Sequence, residues 1–346
     1  MNPAAWITLI TGLSTGTIIT MSSTHWMTAW LGLELNMLSI LPLLNQQQHP
    51  RATEATTKYF LIQTTAATMI LLTGTLVTWQ TGQWSLNQPM NLPTSTLLLA
   101  ALALKLGIAP LHLWYPDVIQ GSTMTTALII STWQKLAPLA FLYMTLPNLP
   151  TPMTLSLGLV SAWWGGWVGL NQTQTRKILA FSSIAHMGWL MTALTLNPHL
   201  TTLTLLTYIT LTATMFTTLK TLSTKTLLDL SLVHTHAPTM QTLTLLTLLS
   251  LGGLPPLTGF MPKLLILKEL TAAHLTTLST LLLLASLPSL AFYIRMAYIT
   301  TLTTSTPTTN TQHKWRHTTH TPSLLAPLMV LASLLLPLTP LLNTTT

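Results

Sequence analysis

Four charged side chains stand inside runs that are otherwise oily. Glu34 lies in HWMTAWLGLELNML, Lys105 in ALALKLGIAPLHLWYPD, Lys135 in STWQKLAPL and Lys263 in GFMPKLL. A rise of ~1.5 Å per residue puts each near ~15 Å depth in a hydrocarbon core of ~30 Å, too deep to snorkel to water with ease. Each costs ~2.5–3.5 kcal/mol to insert, so the four together cost on the order of 10 kcal/mol. Glu34 could neutralise one lysine as a buried pair, but such pairs are seldom net stabilising and two lysines would be left over. Three lysines against one carboxylate point to groups that load and release protons.

His112 and His186 are softer candidates for a relay. His112 stands two residues past Pro110, where the helix is disturbed, and His186 shares FSSIAHMGW with Ser182 and Ser183. A membrane histidine is as often a hydrogen-bonded structural residue as a proton carrier, so both readings stand for each.

The elements that must position these groups are membrane helices. Only 5% of the 346 residues are charged, against about 25% in soluble domains. Threonine is abundant and is tolerated in such helices because its hydroxyl bonds a carbonyl of the preceding turn. Short alternating strands, the mark of a membrane barrel, are not visible. The fold class expected is an all-α polytopic membrane protein with spans at 3–21, 25–45, 56–79, 95–116, 124–147, 153–170, 178–196, 200–222, 238–272, 275–300 and 323–343, about eleven in all.

Composition also excludes chemistry. The chain has no Cys, which removes disulfides, Fe–S clusters and thiolate metal sites. Thirteen Lys and Arg against five Asp and Glu suggest nucleic acid, but the basic residues are spread over connections between apolar runs, where they set orientation. Arg51, Arg176 with Lys177, Lys225, and Lys314 with Arg316 all fall after even-numbered spans, with Lys58 and Lys220 beside them, whereas the opposite connections are nearly bare. That asymmetry places the N-terminus on the positive side and, for an odd number of spans, the C-terminus on the other. Met1 leads into an apolar helix with no Arg-rich leader, so no cleavable targeting segment is expected. His313, His317 and His320, and the pair His234 and His236, have metal-like spacing; a solvated basic loop is the simpler reading, because zinc needs a closed ligand set.

An internal repeat explains the interruption beside Lys105. Shifted by 146 residues, GIAPLHLWYP lies over GLPPLTGFMP, with Gly107 on Gly253, Pro110 on Pro256, and Pro255 adding a second proline to the later break. Two five-helix units follow, 1–147 and 150–300, each with a broken central helix, and 301–346 adds a polar loop and a last helix. Odd-numbered units in tandem are inverted relative to each other, the architecture of secondary transporters. Freed backbone groups at a break are tolerated where they line a hydrated cavity, which would keep Lys105 solvated.

The blocks HWMTAWLGLELN, HPRATEATTKYFL, LALKLGIAPLHLWYPDV, STWQKLAP, GGWVGLNQTQTRKILAFSSIAHMGW and LSLGGLPPLTGFMPK carry a resemblance over nearly the whole length; the tail after about residue 300 is less distinctive. They resemble the subunit 2 family of mitochondrial NADH dehydrogenase, antiporter-like subunits in the membrane arm of respiratory complex I. The resemblance implies a fold descended from multi-subunit cation/proton antiporters, and a shortened N-terminus that agrees with about eleven spans. It carries proton-path roles onto Glu34, Lys105, Lys135 and Lys263, and relay roles onto His112 and His186. It makes the chain part of a proton-translocating NADH:ubiquinone reductase with no redox centre of its own. NADH, FMN, Fe–S clusters and ubiquinone are expected on other subunits. The partners implied are other membrane-arm and accessory subunits and inner-membrane lipids, with no nucleic acid. The positive face becomes the mitochondrial matrix, with the C-terminus in the intermembrane space.

Three other readings compete. A sister antiporter-like subunit or a stand-alone cation/proton antiporter is the nearest, and Lys263, where a sister subunit would carry glutamate, speaks against it. An inert scaffold would tolerate neutral substitutions at all four buried charges. A metal-dependent membrane enzyme would need the loop histidines to hold zinc.

Overall fold

The computed structural model describes residues 2–302, 322–334 and 336–338. His313, Lys314, Arg316, His317 and His320 lie outside the described residues, as do the side chains of His234 and His236. The described chain is helical, and it divides into two compact units, Met1–Gly158 and Leu159–Thr346.

The first unit holds α1 (Pro3–Ser22), α2 (Trp26–Leu44), α3 (Pro50–Thr81), α4 (Leu92–Leu106), α5 (Trp114–Gly121), α6 (Met124–Ser131) and α7 (Leu136–Thr145). Here α1 packs on α2, α2 on α3, and α3 on both α4 and α5. The dividing point falls within α8 (Thr151–Gly169). The second unit continues with α9 (Thr175–Leu196), α10 (Pro198–Thr221), α11 (Leu227–His236), α12 (Pro238–Gly252), α13 (Phe260–Ala272), α14 (Thr276–Leu302) and α15 (Leu325–Leu334). In it α10 packs on α9, α12 and α15, and α12 on α14. Threonine hydroxyls bond back along their own helices as expected, for example Thr17 to the Ser14 carbonyl at 2.8 Å and Thr214 to that of Leu211 at 2.7 Å. Among the described residues, seven helical segments are long and apolar enough to cross a membrane, one of them α6 to α7 taken as one.

The two Gly/Pro interruptions separate real helices, and their local geometry coincides. Gly107 closes α4 at φ +69° and Gly253 closes α12 at φ +80°, a left-handed conformation that favours glycine. Gly107 N–H donates to Leu104 O at 3.3 Å and Ile108 N–H to Ala103 O at 3.0 Å; Gly253 N–H donates to Ser250 O at 3.0 Å and Leu254 N–H to Leu249 O at 3.3 Å. Both are Schellman caps. Each is followed by a cis X–Pro bond, Ala109–Pro110 and Pro255–Pro256.

Three local features depart from the sequence reading. The run 124–147 is not one helix with Lys135 midway; α6 stops at Ser131, and a 3₁₀ turn, Trp133–Lys135, leads into α7. Pro138 explains this, since it has no N–H for the carbonyl of residue 134 and its ring would crowd it. The connection after residue 222 contains α11, opened by a capping box in which Thr226 Oγ1 accepts from Asp229 N–H at 3.3 Å and Asp229 Oδ2 accepts from Thr226 N–H at 2.8 Å. Third, α3 begins at Pro50 rather than 56, because proline at the first helical position is already set to helical φ.

Arg295, inside the 275–300 run, is a further charge within a helix that the sequence reading does not include. From α14 its guanidinium donates to the carbonyls of Leu170 and Gln172, just beyond α8. A cation on carbonyls at a helix C-terminus is favourably placed against the helix dipole.

Candidate functional site

In the first unit the breaks in α4–α5 and α6–α7 meet around one small buried chamber. Its volume is about 20 Å³, enough for a water molecule. Lys105 comes from the last turn of α4 and Lys135 from the 3₁₀ turn, and they are only 7% and 3% exposed. Both line the chamber, together with Asn36, Tyr59, Gln63, Trp114, Tyr115 and Gln134.

The chamber wall is polar where it needs to be. Gln134 Nε2 donates to the Asn36 carbonyl at 3.3 Å, and Trp114 Nε1 to the Leu104 carbonyl at 3.1 Å. Lys135 Nζ stands 4.9 Å from the centre of the Tyr115 ring, within cation–π reach. Glu34, half-buried on α2, interacts electrostatically with Lys105 but is not among the direct ion pairs found among the described residues. A charge that acts through space leaves both partners able to change protonation.

His112 is buried in the turn between α4 and α5, and its own carbonyl accepts from Tyr115 N–H at 3.0 Å. It does not line the Lys105–Lys135 chamber.

In the second unit, Lys263 and His186 line a cavity of about 30 Å³ with Thr204, Thr207, Tyr208 and Pro262. Lys263 Nζ donates to the Gly252 carbonyl at 3.0 Å, placing the ammonium on the end of α12. His186 Nδ1 is 2.7 Å from the Ser182 carbonyl. A carbonyl only accepts, so Nδ1 carries a proton. Its ring lies 5.8 Å from that of Tyr208. Ser182 and Ser183 are turned into their own helix, bonding the carbonyls of Leu179 and Ala180, each at 2.7 Å.

The structure thus brings Lys105 to Lys135 in one chamber and Lys263 to His186 in another. Asn36, Tyr59, Gln63, Gln134, Tyr208 and the paired threonines were not singled out from sequence. The amides could have been, since an Asn or Gln inside an apolar run is itself costly and needs a partner. Among the described residues, no group of three or more His, Cys, Asp or Glu is placed to hold a metal ion.

A family model described as "NADH:quinone oxidoreductase/Mrp antiporter, TM" matches residues 23–289, and one described as "NADH dehydrogenase subunit 2 C-terminus" matches residues 290–343. NADH-ubiquinone oxidoreductase chain 2 of Xenopus laevis is 49% identical, covering 99% of each chain. The chain 2 protein of Tetraodon nigroviridis is 51% identical, covering 98% of each. Among solved structures, a chain of respiratory complex I from Thermus thermophilus with bound aureothin has a TM-score of 0.86 at 28% identity, covering 99% of this chain and 79% of that one. A chain of the Mrp complex from Dietzia sp. DQ12-45-1b has a TM-score of 0.83 at 16% identity, covering 97% and 75%; that likeness is one of fold.

Proposed function

The chain belongs to the NADH-ubiquinone oxidoreductase chain 2 family and is a core membrane-arm subunit of complex I, and on that premise we propose that its buried lysines and Glu34 relay protons across the mitochondrial inner membrane. One observation carries the reading. Lys105 and Lys135, from two different helix breaks, face one chamber of water size lined with amides and aromatic rings. A purely structural lysine would be expected to sit in a close ion pair with a carboxylate, and Lys105 is in none of the ion pairs found among the described residues. A lysine that must load and release a proton needs instead a polar wall with room for water, which the chamber supplies, while the Glu34 carboxylate interacts with Lys105 from a distance. Lys263 with His186 forms the corresponding station of the second unit.

The finer architecture is part of this proposal. The seven long segments, the broken pairs α4–α5 and α12–α13, and α8 and α15 make the eleven crossings. The matching Schellman caps at Gly107 and Gly253 support two repeats over 1–147 and 150–300, inverted because each has five crossings, with 301–346 appended. The connections holding Arg51, Arg176 with Lys177, and Lys225 face the matrix by the charge rule, with the N-terminus on that side and the C-terminus in the intermembrane space. The partners are other membrane-arm and accessory subunits and inner-membrane lipids. The redox cofactors and ubiquinone belong to other subunits, and this chain contributes proton movement.

The reading is tested at Glu34. Glu34→Gln keeps the shape and removes the charge, so coupled turnover should slow while the complex still assembles. A fully assembled Glu34→Gln complex pumping at the wild-type rate would leave the carboxylate without a role.

A further inference from the structure

A second polar cavity in the first unit takes no part in the path described so far. It has a volume of about 210 Å³ and is lined by Arg51, Glu54, Lys58, Asp117 and Gln120 among others. Lys58 Nζ lies between two carboxylates, 2.7 Å from Glu54 Oε1 and 2.9 Å from Asp117 Oδ2. These side chains are 40% to 62% exposed, so the cluster faces solvent.

The same two helices line this cavity and the Lys105–Lys135 chamber. On α3, Ala55 borders the outer cavity and Tyr59 and Gln63 the inner one, at four-residue steps along a single face. On α5, Trp114 borders the inner chamber, and Asp117 and Gly121 the outer cavity, again on one face. Between the two, Tyr59 and Trp114 meet edge to face, with ring centres 5.7 Å apart and planes at 64°. The helices are clamped beside the cluster, since a Cβ on Gly121 would lie 2.7 Å from both the Arg51 carbonyl oxygen and the Ala55 Cβ. An open, charged cavity and a small buried polar chamber are therefore stacked along one helix pair, with two aromatic rings between them.

We propose that the Glu54–Lys58–Asp117 cluster is the mouth through which protons from bulk water reach the Lys105–Lys135 chamber, with the Tyr59–Trp114 pair as the partition they pass. The inference rests on the proton-path reading. A hydronium ion gives its proton to the Asp117 carboxylate and leaves as water, while Lys58 keeps its bond to Glu54. Asp117 then releases the proton to water on the inner side and is a carboxylate again. A neutral amine, Lys105 or Lys135, takes the proton and becomes ammonium, so charge and protons balance. The other titratable groups on the helices packed around the mouth are Arg51 and Tyr59 on α3, Glu34 on α2, Lys105 on α4 and Tyr115 on α5. The rival is an inert surface ion pair, which contributes little and whose loss is silent.

The test uses the whole complex in sealed vesicles. Asp117→Asn should assemble, slow coupled quinone reduction severalfold at alkaline pH, and recover when a small weak acid such as formate is supplied, because a diffusing acid replaces the lost carrier. Unchanged turnover at every pH, or a loss that formate does not restore, overturns the proposal. A second arm exploits the absence of cysteine from the chain. Gln120→Cys, labelled from outside with a membrane-impermeant cationic thiol reagent, should turn over severalfold more slowly than the wild-type complex treated with the same reagent. Stoichiometric labelling without slowing overturns the mouth. If the Glu34 and Lys105 variants are impaired while these two arms show nothing, the path stands and only the mouth falls. If the Glu34 and Lys105 variants are themselves normal, the underlying reading falls, and the mouth with it.

Discussion

The ammonium of Lys263 donates to the carbonyl of Gly252 across 3.0 Å, so the lysine caps the end of the helix that the break interrupts. The contact exists because Gly253 turns the chain in the left-handed region at φ +80° and carries no side chain. A Cβ there would lie 2.9 Å from Lys263 Nζ and 3.1 Å and 3.2 Å from its Cδ and Cε. Gly253→Ala should therefore cost about 1–2 kcal/mol in backbone strain and push the ammonium off its carbonyl. The lysine is flexible, so assembly should survive while proton translocation falls severalfold. Native-gel abundance together with pumping in vesicles checks this, and normal pumping would show that the lysine's exact seat does not matter.

Helix contact within the second unit gives a different expectation. A Cβ on Gly165 would lie 2.6 Å from the Ala185 amide nitrogen and 2.8 Å from the Phe181 carbonyl oxygen, so α8 and α9 touch through backbone that cannot yield. Small residues at such crossings let membrane helices approach closely. Gly165→Val should prevent accumulation of the subunit. Gly82→Ala, where φ is +73° but nothing lies within 4 Å, should cost only the backbone term of about 1–2 kcal/mol and leave assembly intact. Comparing subunit levels of the two variants is the measurement.

The third expectation is a pH dependence outside the membrane. The Asp229 carboxylate accepts from the Lys225 and Thr226 amides at 2.9 Å and 2.8 Å, and these bonds hold its pKa below the ordinary value. A carboxyl depressed on folding stabilises above the ordinary range near ~3.9, and that stabilisation is lost as pH falls through the lower folded value. At neutral pH, Asp229→Ala should loosen the start of α11 by roughly 0.5–2 kcal/mol. Amide exchange across 225–236 should show the difference between wild type and variant at neutral pH, shrinking in strong acid. An unchanged exchange pattern at neutral pH would remove the cap from the account.

These cases show which parts of the molecule were legible in the sequence. Gly107 and Gly253 announced their breaks because few other residues tolerate a left-handed turn, and the prolines behind them could not continue a helix. Pro138 gives comparable punctuation, but a proline inside an apolar run reads equally as a kink, so the turn at Trp133–Lys135 does not show in the sequence. Thr226 and Asp229 form a local signal at fixed spacing that would have revealed α11. The chamber itself was not legible. That Lys105 faces Lys135, or that Tyr59 and Gln63 line the same space, depends on how α3, α4 and the turn before α7 pack, and no spacing within one helix encodes that.

The central claim is that Lys105 works by changing its protonation, and two substitutions at this one position test it most directly. Lys105→Met keeps the volume and removes the charge, whereas Lys105→Arg keeps a charge that cannot be given up in a protein. Titration predicts that both variants assemble and both lose proton translocation by roughly tenfold or more, the scale expected when a positioned proton carrier is removed. A structural charge predicts the reverse, with Arg serving normally and Met failing to assemble. Measured as pumping and quinone reduction in sealed membranes of each variant, using a bacterial counterpart where the mitochondrial gene is inaccessible, loss in both supports the account, and normal pumping by Lys105→Arg contradicts it.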